Sequence, residues 1–169
     1  MYLIKWVLLI GVFCTSTIIG LLISKKYSNR LHILKGIKNA LNMFEVKINF
    51  SCETIPEIFN EISKKVKGIS GKIFLDAAEN MKTMLAGQAW EIALENNSEN
   101  LSKEDINSLK PLGKLLGKTD IAGQISQIKL VSEFLEEQIS DAIQEKNKNE
   151  KMYQKLGAIV GLVMVIFLI

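Results

Sequence analysis

Few residues in this chain have types and spacing suited to chemistry. His32 is the only histidine among 169 residues, and that count alone argues against a Ser–His–Asp triad or a His-rich metal site. Ile33 follows it where a phospho-accepting helix would carry an acidic neighbour, so His32 reads as a surface histidine near a membrane. Cys52 stands close to Pro56 and far from any second histidine, a poor setting for a nucleophile. Gly113-Lys-Leu-Leu-Gly117-Lys118-Thr119 superficially resembles a phosphate-cradling loop. Its first glycine is four residues from the second rather than five, and it follows a helical pattern where such a loop follows a strand. Glu136-Glu137 lies on a solvated helix face. A catalytic site needs converging reactive groups; with none in view, the expectation is no enzymatic activity, no cofactor and no metal.

The elements that must carry any function are marked by hydropathy. Apolar residues make up 48% of the chain, and the excess sits at the two ends. Trp6–Ile23 is a run of 18 residues without a charge; as a helix it rises about 27 Å, close to the roughly 30 Å hydrocarbon core of a bilayer. Leu156–Ile169 adds 14 more, which rise only about 21 Å and need local thinning or interfacial help from Met152 and Tyr153 to cross. Lys25–Lys155 holds 20 of the 21 Lys and Arg and all 18 Asp and Glu. A simple soluble enzyme, a disordered chain and a strongly basic nucleic-acid binder are excluded by this distribution.

A cleaved signal peptide is the rival reading of the first run, but a small-x-small cleavage site is missing and Lys25, Lys26 and Arg30 follow at once, as in an uncleaved anchor. Cys14 follows Phe13, where a lipoprotein site needs a small residue. Lys25, Lys26, Arg30, Lys35 and Lys38 flank the first run and Lys146, Lys148, Lys151 and Lys155 precede the second, with only Lys5 beyond. The positive-inside rule then predicts a cell-membrane protein with two spans, the middle in the cytoplasm and both chain ends outside. Two cysteines, one of them inside the apolar run, make no disulfide framework. From Glu45 to Glu145 there are 11 basic and 17 acidic residues, so basic stems lie beside anionic lipid and an acidic body repels nucleic acid.

The middle reads as helical. Tyr27, Leu31, Leu34, Ile37, Leu41, Phe44 and Ile48 keep steps of three and four. Thr54 with Glu57 reads as a capping box with Pro56 in the first turn, opening a helix through Ile58, Phe59, Ile62 and Val66. Gly68–Gly71 reads as a loop, followed by one helix carrying Phe74, Ala77, Ala78, Met81, Met84, Leu85 and Trp90. After a break at Asn96–Asn100, Ser102 caps a helix with Asp105 at its third position and Ile106, Leu109, Leu112, Leu115 and Leu116 on its apolar side. Gly117-Lys-Thr-Asp120 ends that helix and caps the last, whose Ile121, Ile125, Ile128, Val131, Leu135, Ile139 and Ala142 run unbroken into the terminal apolar stretch. Five segments with short loops predict an all-α fold: an antiparallel helical bundle, residues 25–155, between an N-terminal (1–24) and a C-terminal (156–169) transmembrane helix. Gly157 and Gly161 form a G-x-x-x-G pair in the second run, readable as a close-packing helix face or as chance small residues.

Several segments in order resemble the stage III sporulation protein AB family over nearly the whole chain. They are Phe44-Glu45-Val46-Lys47-Ile48, Ile55-Pro56-Glu57-Ile58-Phe59, Phe74-Leu75-Asp76-Ala77-Ala78, then Glu104-Asp105, Leu109, Leu112-Gly113, Leu116-Gly117, Thr119-Asp120 and Gln124, and the ending from Lys151 to Gly161. Thr119 stands where Ser is expected and Gln154 where Arg is common. The resemblance implies a non-enzymatic membrane protein of the mother cell, an assembly or platform factor in a channel-like complex with the forespore. Similarity to the cytoplasmic domain of the type II secretion platform protein further implies a secretion-type ATPase as partner. That partner would be stage III sporulation protein AA, alongside other stage III sporulation A proteins and membrane lipid, with a homo-oligomer left open. The alternative is a platform protein of a type II secretion or pilus system, although such proteins usually carry two copies of the domain. Within the family motif, Gly113, Gly117, Asp120 and Gln124 have two readings: a capped turn, or direct contact with a partner.

Overall fold

The computed structural model describes residues 2–51 and 53–168; Cys52 lies outside the described residues. Those residues form seven helices and no strand: α1 (Tyr2–Phe50), α2 (Ile55–Lys65), α3 (Ile69–Asn80), α4 (Ala86–Asn96), α5 (Lys103–Leu109), α6 (Pro111–Leu115) and α7 (Ile121–Leu168). The all-α class agrees with the helical periodicity, and α7 runs unbroken from its Asp120 cap into the terminal apolar stretch. The chain divides into two compact units, Met1–Leu31 with Ala142–Ile169, and His32–Asp141.

In the His32–Asp141 unit the core is the sum of the apolar stripes. Leu34, Ile37, Leu41 and Phe44 of α1 meet Ile58, Phe59 and Ile62 of α2, Ile73, Phe74 and Ala77 of α3, Trp90 and Leu94 of α4, and Ile128, Val131 and Leu135 of α7, all essentially fully buried. Four aromatic rings form its centre edge to face: Phe44–Phe59 at 5.0 Å, Phe59–Phe74 at 4.9 Å, Phe74–Trp90 at 5.3 Å and Phe59–Trp90 at 5.9 Å between centroids. Such pairs add about 0.5–1.5 kcal/mol each beyond their burial. The indole N–H of Trp90 donates to the Leu109 carbonyl at 2.9 Å, so this ring also satisfies the C-terminal end of α5. Ion pairs Lys38–Glu136 and Glu45–Lys129 advance along α1 while receding along α7, which makes that pair antiparallel here.

Three boundaries differ from the helical reading of the sequence, and the count is seven rather than five. Only Gly68 of the expected Gly68–Gly71 loop is outside a helix; its φ of 75° completes the short turn from Val66 through Lys67, and α3 starts at Ile69. Gly71 is buried in the first turn of α3, where a Cβ would collide with the Val66 carbonyl. The expected single helix from Phe74 to Trp90 is two. After Asn80 the chain makes a tight turn, with the Thr83 and Met84 N–H groups both donating to the Asn80 carbonyl, and α4 begins at Ala86 after an extended Leu85. The stripe Ile106–Leu116 is likewise split, because Pro111 has no N–H to continue α5 and starts α6 instead.

In the other unit the N-terminal arm of α1 and the C-terminal arm of α7 pair antiparallel. Contacts run from Gly161 against Phe13, through Gly157 against Gly20, to the stacked rings of Tyr27 and Tyr153 at 5.9 Å and the Arg30–Glu145 ion pair at 2.7 Å. Among the described residues one helix, α1, carries a stretch long and apolar enough to cross a membrane by length and composition.

Candidate functional site

The residues of the family motif converge on one turn of the His32–Asp141 unit. Gly113 of α6 lies against Gly87 of α4: a Cβ on Gly113 would stand 3.0 Å from the Gly87 carbonyl oxygen and 3.2 Å from Cδ1 of Trp90. Absence of a side chain on both glycines is what lets the two backbones touch. Gly117 takes φ 71°, which a residue with a Cβ enters only at a cost, and turns the chain out of α6. Asp120 then caps α7, its carboxylate accepting the Gly123 N–H at 2.9 Å. The Gln124 amide donates to the Thr119 carbonyl at 3.3 Å, closing the turn from the other side. Its Oε1 is buried without a hydrogen-bond partner.

The preceding break is held in the same way. Ser102 and Asp105 form a complete capping box: the Ser102 N–H donates to the Asp105 carboxylate at 2.8 Å, and the Asp105 N–H donates to the Ser102 hydroxyl at 3.1 Å. At the start of α2, Glu57 accepts both the backbone N–H and the hydroxyl of Thr54 at 2.8 Å, and these bonds lower its pKa. Lys47 near the end of α1 reaches Glu61 at 2.6 Å and Glu53 at 3.0 Å. The lysine pKa is raised by its bonds to Glu61 and Glu53, and that of Glu61 is lowered by Lys47. Spacing of three and four along one helix does not reveal this clamp, because its members come from α1, the following loop and α2.

The glycine pair of the terminal run faces α1. A Cβ on Gly157 would stand 2.9 Å from the Gly20 Cα, and one on Gly161 would stand 3.1 Å from Cδ2 of Phe13 and 3.2 Å from Cβ of Ser16. The Ser16 hydroxyl donates to the Gly157 carbonyl at 2.8 Å. Gln154, one turn before, donates to the Ser24 hydroxyl at 3.4 Å. The G-x-x-x-G face is thus filled by the chain's own first helix. Ser16 and Gly20, themselves four residues apart in an apolar run, were the sequence signal for the matching face. An apolar groove of about 440 Å³ runs beside this contact, lined by Val12, Ile19, Ile23, Leu156, Val160 and Met164.

The residues considered for chemistry stay apart. His32 is exposed on α1, Cys14 is an exposed free thiol in the N-terminal arm, and Glu136 is engaged by Lys38. Among the described residues no three His, Cys, Asp or Glu side chains are grouped to hold a metal ion.

Fold and sites together define an all-α protein with an apolar two-helix arm, whose conspicuous glycines and caps serve helix approach and chain reversal. Residues 5–169 match the family described as stage III sporulation protein AB, and the chain belongs to that family. It is 29% identical over 153 residues to stage III sporulation protein AB of Bacillus subtilis (strain 168), covering 88% of this chain and 90% of that protein. A solved structure of a stage III sporulation protein AB superposes with a TM-score of 0.63 at 25% identity, covering 70% of this chain and 96% of the other. This is a family of sporulation proteins rather than of enzymes.

Proposed function

We propose that this chain is a non-enzymatic membrane component of the sporulation complex that links mother cell and forespore, acting as an assembly platform for a secretion-type ATPase. In this reading both apolar arms span the mother-cell membrane, the His32–Asp141 unit is cytoplasmic, and the other stage III sporulation A proteins are its partners. The observation that carries the reading is the family match over residues 5–169. Pairing of the two arms supports the second span: a packed partner helix with Ser16 bonded to the Gly157 carbonyl lowers the cost of holding this apolar stretch in lipid.

Deletion of the gene in frame, scored by heat-resistant spore count and microscopy, tests this function. Normal growth with arrest after engulfment is the expected result; unchanged sporulation rejects the reading and favours a platform role in secretion or pilus assembly. A reporter fused after Ile169 should be active outside the cytoplasm, and cytoplasmic activity rejects the two-span topology.

A further inference from the structure

The acidic balance of the middle region conceals a basic corner that only the fold assembles. Residues 62–75 contain four lysines, Lys64, Lys65, Lys67 and Lys72, and no acid; residues 31–44 of α1 contain Lys35 and Lys38 and no acid. The α2–α3 corner is fastened to that stretch of α1. The Ser70 hydroxyl donates to the Ile33 carbonyl at 2.9 Å, and a Cβ on Gly36 would meet the Ser70 side chain and lie 3.9 Å from Val66. Ser70, Gly71 and Val66 are buried in making this joint, and the residues beside them in the chain, Lys35, Lys64, Lys65, Lys67 and Lys72, are all exposed.

These charges are not spent internally. Among the described residues Lys35, Lys64, Lys67 and Lys72 have no carboxylate at ion-pair distance. Lys65 acts weakly on Glu61, which Lys47 already holds at 2.6 Å, and Lys38 is taken by Glu136. Five exposed ammonium groups therefore gather around one joint on an otherwise acidic unit.

We infer that this corner is a docking surface for anionic lipid headgroups of the membrane that anchors the chain. The inference rests on the anchored reading of Trp6–Ile23. Ile33, which receives the corner, follows Ile23 by ten residues, so the tether keeps the lysines at high effective concentration against a headgroup surface. Lysines near an anionic leaflet add their attractions, so four or five together hold the unit down. A diffusing polyanion lacks that tether and meets an acidic body.

The full chain is reconstituted in nanodiscs of phosphatidylcholine alone and of an equal mixture with phosphatidylglycerol, and amide hydrogen exchange of residues 63–72 is followed in both. Exchange is expected to be about fivefold slower or more in the anionic bilayer at low salt. The protection should disappear at high salt and in a variant carrying Lys64→Glu, Lys65→Glu, Lys67→Glu and Lys72→Glu. If circular dichroism shows that variant to be misfolded, the matching four Lys→Gln changes serve, with the same loss expected. Equal exchange in both bilayers, or protection that survives the charge changes, overturns the proposal while the chain still floats with both lipids. A chain that floats with neither overturns the anchored reading, and the proposal with it.

Discussion

The hydroxyl of Ser16 on α1 donates to the carbonyl of Gly157 on α7 at 2.8 Å, across a contact where a Cβ on Gly157 would stand 2.9 Å from the Gly20 Cα. Two helix backbones approach this closely only where side chains are absent, and the approach is what exposes the carbonyl to the serine. Of the many registers open to two apolar helices, Ser16, Gly20 and Gly157 select this one.

Filling that contact should separate the arms. Gly157→Leu is expected to cost about 1–3 kcal/mol by overpacking, read as a lower thermal midpoint in detergent. Gly11, whose Cβ position is open, is the control, and Gly11→Ala should leave the midpoint unchanged. An equal loss in both variants would mean that the arms do not pair in this register.

Trp90 joins the aromatic core to the end of α5 through the Leu109 carbonyl. Trp90→Phe keeps most of the ring but leaves that buried carbonyl unpaired, at a cost of about 1–3 kcal/mol. Trp90→Ala adds a cavity and should cost about 3–5 kcal/mol. Urea unfolding followed by circular dichroism measures both, and a Trp90→Phe midpoint equal to that of the unchanged protein would argue against the hydrogen bond.

The turn around Gly117 and Asp120 gives a test of structure against partner contact. Asp120→Ala removes the cap on the Gly123 N–H and should lose about 1 kcal/mol, with spore formation retained. Gly117→Ala should lose about 1–2 kcal/mol, because φ 71° is unfavourable with a Cβ. Loss of sporulation at unchanged stability in the Asp120 variant would assign that carboxylate to a partner.

The Lys47 clamp gives stability a pH dependence of known sign. The Glu61 pKa is lowered by Lys47, so its contribution is present above the ordinary carboxylate range and fades as pH falls through the lowered value. The Lys47 pKa is raised, so its contribution is present below the ordinary lysine value and fades as pH rises through the raised one. Lys47→Met should flatten the acid limb of a plot of unfolding midpoint against pH, and an unchanged limb would show that the clamp is screened away by solvent.

Much of the fold was legible along the chain. The apolar stripe from Leu34 to Phe44 is buried, Ser102 and Asp105 form their capping box, and Asp120 caps α7, because each depends on residues three or four apart. The breaks at residues 81–85 and 110–111 were harder to see, since a helical stripe continues in phase across a one-turn interruption. Pro111 was the available signal for the second.

Sequence by itself determined the helical class, the two apolar ends and the caps, because hydropathy, periodicity and capping chemistry are local; the family came from the resemblance of whole segments in order. Tertiary structure alone decided that Gly157 meets Gly20, that Gly113 meets Gly87, that Trp90 reaches the Leu109 carbonyl, and that Ser70 fastens a lysine-rich corner to Ile33. Each of those pairs is separated along the chain by 19 residues or more, as the Trp90–Leu109 bond shows. Which distant backbones approach is settled by the packing of the whole core, not by any neighbouring pattern.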